Sequence, residues 1–297
     1  MNGIINIYKE AGYTSFDVVA ILRKYLHIKK IGHTGTLDPN ATGVLPICIG
    51  KATKVVDLLT NKNKTYRASF RLGVTTDTED IHGTVLSTFD FADGPIDPQL
   101  VITTIQSFVG ELEQIPPMYS AVRMDGVRLY ELARQGITVE REARKCTIFR
   151  IEEIEQINLY EYSFVVECSK GTYVRTLIYD IGQKLGCSAV MTELLRTAVA
   201  PFRIEDALKL SEVEKLVQEN RIEDYILPVD RLFEHLEEIH VPQEVDLALY
   251  NGNDLSLDFV KDPSNRQKRI YDSKNQFIAI YRIDEERESL RVEKMFA

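Results

Sequence analysis

No run of about 20 apolar residues, the length that a membrane-spanning helix requires, occurs anywhere in the 297-residue sequence. The first ten residues, Met1 to Glu10, lack the basic start and long apolar core of a secretory signal. A water-soluble, cytoplasmic protein is expected. Cysteine is scarce: Cys48, Cys146, Cys168 and Cys187 lie far apart and form no C-x-x-C pair. That excludes a disulfide framework and a thiolate zinc site. His235 and His240 miss the four-residue spacing of H-E-x-x-H. Neither a metal nor an organic cofactor is expected. Gly43 to Lys51 resembles a phosphate loop, but its glycines are too widely spaced, Pro46 interrupts it and Ala52 follows the lysine. An ATP or GTP site of that kind is therefore excluded. No internal repeat or low-complexity tract is present.

What is there suits a globular protein with a large core: 44% hydrophobic and 27% charged residues. The formal net charge is −9, which superficially argues against a nucleic-acid partner. The distribution is uneven, however. Residues 1–72 carry +7, residues 73–116 carry −8 with no lysine or arginine, residues 117–150 carry +3, and residues 205–297 carry −9. Phosphate binding needs a local basic surface, not a basic average. Two basic blocks in an acidic chain satisfy that need; a merely solvated lysine-rich surface satisfies the arithmetic equally well.

Hydrophobic periodicity predicts a strand over 4–8, a helix over 16–26, a strand over 44–49 and a helix over 51–59. Residues 65–72 alternate, with Tyr66, Ala68, Phe70 and Leu72 on one face and Arg67, Ser69 and Arg71 on the other. Helices are predicted over 98–110, 129–135 and 175–185, a hairpin at Asp125-Gly126, and a strand over 163–170. Residues 205–238 read as mostly helical, and short strands follow at 270–271, 277–283 and 290–295. Strands and helices mix without βαβ alternation. The expected fold is α+β, a mixed and largely antiparallel sheet with flanking helices, plus a small β-rich C-terminal domain.

Residues 32–43, Gly-His-Thr-Gly-Thr-Leu-Asp-Pro-Asn-Ala-Thr-Gly, are rich in glycine and lack periodicity, so they form a shaped loop. Gly32 to Gly35 fits the short G-x-x-G of a KH loop, a pattern too brief to be specific. Asp38 precedes a proline, which pushes its backbone towards extended conformations. Its carboxylate could project towards a ligand or close an ordinary Asx-turn.

The loop and the Ala41-Thr42-Gly43-Val44-Leu45-Pro46 that continues it closely resemble the active-site motif of the TruB family of tRNA pseudouridine synthases. Further matches follow in family order: Lys64-Thr65-Tyr66-Arg67, Ile115 to Ala121, Cys168 to Leu177, and Leu194-Leu195-Arg196-Thr197. Two departures stand out. Glu10 replaces a usual proline in Lys9-Glu10-Ala11-Gly12-Tyr13-Thr14-Ser15, and Leu195 stands where arginine is common. The resemblance implies a pseudouridine synthase fold over residues 1–238 with an RNA-clamping insertion near 117–147. It implies a PUA-like RNA-binding domain over 239–297.

The activity implied is isomerisation of the uridine at position 55 in the T arm of tRNA, by a monomer that needs no cofactor. Breaking the N1–C1′ bond gives C1′ positive character, as in glycoside hydrolysis. By resemblance, Asp38 stabilises that charge, attacks covalently or removes a ribose proton, and Arg175 pairs with it. Tyr66 stacks on the uracil and handles the C5 proton. Leu194 walls a dry pocket, Tyr173 packs beneath the base and Lys9 braces the loop. His33 fills the space left by a flipped base. Arg123, Arg128, Arg134 and Arg141 of the insertion, with Arg67 and Lys64, form a track for RNA phosphates. Rival readings are a related synthase acting on another RNA, a non-catalytic RNA-binding protein with the same fold, and a nucleosidase. The last would want a second carboxylate, and the motif loops offer none.

Overall fold

The computed structural model describes residues 1–92 and 94–297. In chain order its elements begin with β1 (Gly3–Lys9), α1 (Ser15–Leu26), β2 (Ile31–His33) and β3 (Thr42–Ile49). A 3-10 turn (Gly50–Val55), α2 (Val56–Thr60), β4 (Lys64–Leu72) and the hairpin β5 (Val74–Thr76)/β6 (Val85–Thr88) follow. Next come α3 (Pro98–Gln106), β7 (Gly110–Gln114), the hairpin β8 (Arg123–Met124)/β9 (Val127–Arg128), α4 (Leu129–Arg134), β10 (Arg144–Gln156) and β11 (Glu161–Cys168). The remainder is α5 (Val174–Leu185), β12 (Ala189–Val199), β13 (Phe202–Arg203), α6 (Leu210–Gln218), β14 (Glu237–His240), α7 (Gln243–Tyr250), β15 (Leu255–Ser256), β16 (Gln267–Tyr271), β17 (Phe277–Asp284) and β18 (Ser289–Met295).

The first sheet runs β1-β3-β12-β4-β11-β10-β7, with β2 added to β3 and β13 to β12. Every pairing in it is antiparallel except β3 with β12, which are parallel where Leu195 and Arg196 face Thr42 and Gly43. The fold is thus α+β with a mixed, largely antiparallel sheet, as the sequence predicts. At the parallel seam a Cβ on Gly43 (φ +106) would sit 2.2 Å from the Arg196 carbonyl oxygen. Only glycine allows the two backbones to meet there.

On one side of the sheet, α5 covers the inward faces of β4, β11 and β12. Phe70, Tyr162, Phe164, Leu177, Ile178 and Ile181 form the centre of that core. The even-numbered residues of β4 point into it, which is the period-two pattern of a half-buried strand. The N-terminal strand packs against α1 and α6 in a second core. The five-stranded sheet β14-β16-β17-β18-β15 ends the chain. Ile280 of this sheet and Phe296 just after it join Ile4, Val44 and Val55 in a shared cluster, so it is anchored to the first sheet.

Three predicted elements differ. The helix expected over 98–110 stops at Gln106, and Gly110 opens β7. Its start is fixed by Asp97, which accepts a hydrogen bond from the Gln99 backbone at 3.0 Å. The region 205–238 holds one α-helix, α6, among three 3-10 turns. There the backbone is drawn to the free edge of β1: Ile4 donates to Leu227 and Tyr8 to Leu208, each at 2.8 Å. An exposed strand edge is thereby sheltered, at the expense of helix. Residues 50–55 are 3-10 rather than α-helix.

α5 crosses closest to the sheet at Gly182, where a Cβ would lie 2.2 Å from the Ala189 nitrogen. Gly182→Ala is expected to destabilise the fold by about 1–3 kcal/mol, the usual cost of overpacking. Urea denaturation checks this, and an unchanged midpoint would contradict so close an approach.

Candidate active site

The loop between β2 and β3 presents Asp38, and its neighbours are tied down on both sides. Leu37 donates its N–H to Ser15 Oγ at 2.9 Å. Pro39 offers its carbonyl to the Gly12 N–H at 3.0 Å and to Lys9 Nζ at 2.9 Å. Lys9, fully buried, also donates to the carbonyls of Tyr13 (2.7 Å) and Glu10 (3.1 Å). Lys9 therefore links the end of β1 to the Asp38–Pro39 peptide. The Asp38 carboxylate closes no Asx-turn. It meets Arg175, whose Nε lies 3.0 Å from Oδ2.

Arg175 is 4% exposed and sits in the first turn of α5. Its Nη1 donates to the Thr78 carbonyl at 2.8 Å and its Nη2 to the Tyr119 carbonyl at 2.9 Å. All three nitrogens of the guanidinium are engaged, so the charge is satisfied without water. A cation is disfavoured at a helix N-terminus, and here a carboxylate and two carbonyls offset that cost. Thr176 next to it donates to Glu79 at 2.7 Å. Burial pushes the Glu79 carboxyl above its usual range.

Leu37, Asp38, Tyr66, Tyr173, Arg175 and Leu194 line one cleft of about 90 Å³. A single water needs roughly 10–15 Å³ on this scale, so the cleft has room for several waters. It is open on one side, and the Asp38 side chain is 38% exposed. The sealed, dry pocket expected from the sequence is therefore not what the chain forms by itself. Tyr173 is held by Gln114, which accepts from its N–H (3.0 Å) and donates to its carbonyl (3.2 Å). Burial raises the pKa of both phenols, Tyr66 and Tyr173.

Several predicted site residues lie elsewhere. Lys64 is not on an outward track: it is 6% exposed, and its ammonium donates to the carbonyls of Thr60 and Lys62 at 2.5 and 2.6 Å. It shares the inward parity of Tyr66 on β4, and burial lowers its pKa to about 8. Arg67 does face outward but is paired with Glu153. Arg141 donates to the Pro116 carbonyl at 3.0 Å and so fastens the insertion to itself. Arg123 and Arg134 are exposed, and Arg128 donates to the Tyr130 hydroxyl at 3.0 Å. His33 is not in the loop but ends β2 opposite Ile47. It is half-buried, and its Nδ1 is buried without a partner.

Two residues were missed. Gln114 belongs to β7, a strand whose charged residues hide it. Arg196 lies within a matched motif, yet nothing in its spacing marks it as buried.

Comparison with known proteins places this geometry. Residues 23–174 match the model described as "TruB family pseudouridylate synthase (N terminal domain)", and residues 175–234 match "tRNA pseudouridylate synthase B C-terminal domain". The chain is 47% identical over 284 residues to tRNA pseudouridine synthase B of Clostridium tetani, covering 94% of this chain and 95% of that protein. It is 46% identical to that of Lachnoclostridium phytofermentans over the whole of both chains. Among solved structures, a chain of an H/ACA RNP bound to a substrate RNA containing 2′-deoxyuridine superimposes with a TM-score of 0.72 at 27% identity, covering 99% of this chain and 85% of that one. A chain of a Cbf5-Nop10-Gar1 complex gives 0.71 at 30% identity, with the same coverage. These matches define the class of protein as a pseudouridylate synthase. The chain belongs to the TruB family of these enzymes.

Burial lowers the Lys9 pKa to about 8, with the Asp38 charge opposing the shift. Between pH 8 and the ordinary lysine value of 10.5, the unfolded chain binds more protons than the folded one. Stability contributed through Lys9 therefore rises with pH across that window. The urea midpoint of the wild type is expected to gain on that of Lys9→Met between pH 8 and 10. A constant difference would show that Lys9 keeps its ordinary pKa.

Proposed function

We propose that this chain isomerises uridine to pseudouridine in tRNA, at position 55 of the T arm, and acts as a monomer. The observation that carries the reading is the 3.0 Å Asp38–Arg175 pair at the edge of a cleft floored by Tyr66 and Tyr173. Departure of the base leaves positive character at C1′, and the Asp38 carboxylate is the anion available to meet it. Arg175 orients that carboxylate, and its own bonds to Thr78 and Tyr119 hold the orientation fixed. Tyr66 stacks on the uracil and takes the C5 proton, Leu194 and Tyr173 bound the base, and Lys9 keeps the loop rigid.

The target base sits inside a folded arm, so it must be turned out to reach the cleft, and we assign half-buried His33 to the gap it leaves. Arg123, Arg128 and Arg134 of the 117–147 insertion, which among the described residues form no ion pair with a carboxylate, take RNA phosphates. We assign residues 1–238 to the catalytic unit and residues 239–297 to a PUA-like RNA-binding domain. Relatives at 46–47% identity over nearly the whole chain carry tRNA in their names. The neighbours from H/ACA assemblies, at 27–30%, are more distant, which favours tRNA over guide-directed RNA as substrate.

Tritium release from T-arm RNA carrying C5-labelled uridine tests the chemistry. Wild type is expected to turn over, and Asp38→Asn to bind RNA normally without release. Turnover persisting in Asp38→Asn would remove that carboxylate from the reaction. If about six phosphates are engaged, affinity falls by roughly 10³ between 50 and 200 mM salt. An affinity independent of salt would contradict the assignment of the insertion.

A further inference from the structure

Arg196 is the largest fully buried side chain of the protein, 1% exposed, and the mechanism above does not use it. Among the described residues no ion pair joins it to a carboxylate. Its Nε donates to the Val44 carbonyl at 2.7 Å and its Nη2 to the Gly35 carbonyl at 3.2 Å. A buried guanidinium without an anion costs stability, and two neutral carbonyls offset only part of that cost. Either carbonyl could have been bonded by a neutral donor. The charge itself calls for a reason.

Register supplies one. Arg196 on β12 is the direct cross-strand partner of Tyr66 on β4. Both side chains are buried, and the positive charge of Arg196 favours the ionised form of the Tyr66 phenol against the effect of burial. Cross-strand partners on one face approach closely enough to interact. Other groups facing Tyr66 are Cys168 from β11 and Asp38 from the loop after β2. Lys9, His33 and Lys64 in turn face Arg196. Arg196 is the cation that acts on the phenol, and burial works against ionisation of that phenol.

We propose that Arg196 is a positioning residue whose charge holds the Tyr66 oxygen ready to accept the C5 proton. This rests on the reading of Tyr66 given above and deepens it. Once C5 has bonded to C1′, the C5–H bond breaks and its proton passes to the Tyr66 phenolate oxygen. The electron pair forms the C5–C6 double bond. The former C6–N1 π pair withdraws to N1, which takes a proton from solvent. The ring gains one proton and loses one, and the phenol later returns its own to solvent. Arg196 carries the countercharge while the oxygen is anionic and fixes its direction by an N–H bond.

The test compares Arg196→Gln, which loses the charge, with Arg196→Lys, which keeps it, each with and without Tyr66→Phe. The substrate is T-arm RNA with C5-protio or C5-deuterio uridine, followed in single turnover, together with RNA affinity and thermal midpoint. Arg196→Gln is expected to slow turnover on the order of 10²-fold, the usual worth of a placed proton acceptor, with unchanged RNA affinity. Its C5-deuterium isotope effect should exceed that of the wild type. Arg196→Lys should retain the wild-type isotope effect whatever its thermal midpoint. In the Tyr66→Phe background Arg196→Gln should cost nothing further.

Slowing without a larger isotope effect, or full additivity with Tyr66→Phe, would make Arg196 a structural brace only and overturn the proposal. Should Arg196→Gln not fold, a raised isotope effect in folded Arg196→Lys overturns it as well. If Tyr66→Phe alone turns over at the wild-type rate, the reading of Tyr66 fails, which is a separate result.

Discussion

The Arg175 guanidinium binds three separate chain segments at one point. Asp38 comes from the β2–β3 loop, the Thr78 carbonyl from the β5–β6 hairpin, and the Tyr119 carbonyl from the start of the insertion. A buried arginine keeps its charge, so each of these partners helps to satisfy it within the fold. The segments come together because α5, which carries Arg175, is held to the sheet by Leu177, Ile178 and Ile181. The strand order places β4, with Tyr66, between β11 and β12. The cleft is the space these constraints leave.

Around that cleft the protein concentrates positive charge out of sight. Lys9, Lys64, Arg175 and Arg196 are all buried within a chain whose net charge is −9. Three of them end on backbone carbonyls, with no carboxylate partner among the described residues. Carbonyl dipoles satisfy hydrogen bonds while leaving the electrostatic field largely positive. Such a field suits negative charge that develops on a departing base.

Much of this was legible beforehand. The alternation of Thr65 to Leu72 set Tyr66 inward, and Gly186 in the left-handed region ends α5 where its position suggested. The same alternation, extended one step, puts Lys64 inward with Tyr66; reading it as a surface cation ignored its parity. β10 and β12 escaped because bulges break their period. β10 shifts register between Ile148 and Arg150 and again between Glu152 and Glu155, and β12 between Met191 and Glu193 and between Arg196 and Ala198. A bulge turns successive side chains to unexpected faces, which is how Arg196 comes to lie inside. The ties of Arg175 to Thr78 and Tyr119 run through backbone atoms, so no residue identity announces them. Long-range partners of this kind emerge only from the fold.

Arg175→Lys is the most direct measurement of the central claim. A lysine supplies the charge but cannot reach Asp38 and both carbonyls from one planar fork. The account predicts that turnover of T-arm RNA falls on the order of 10²-fold, as for a misplaced catalytic group, while RNA affinity stays within about twofold, since the buried guanidinium is already engaged by Asp38 and two carbonyls. Turnover near the wild-type rate, or a parallel loss of RNA affinity, would show that charge alone matters at Arg175 or that it serves the RNA backbone, and either would contradict the account.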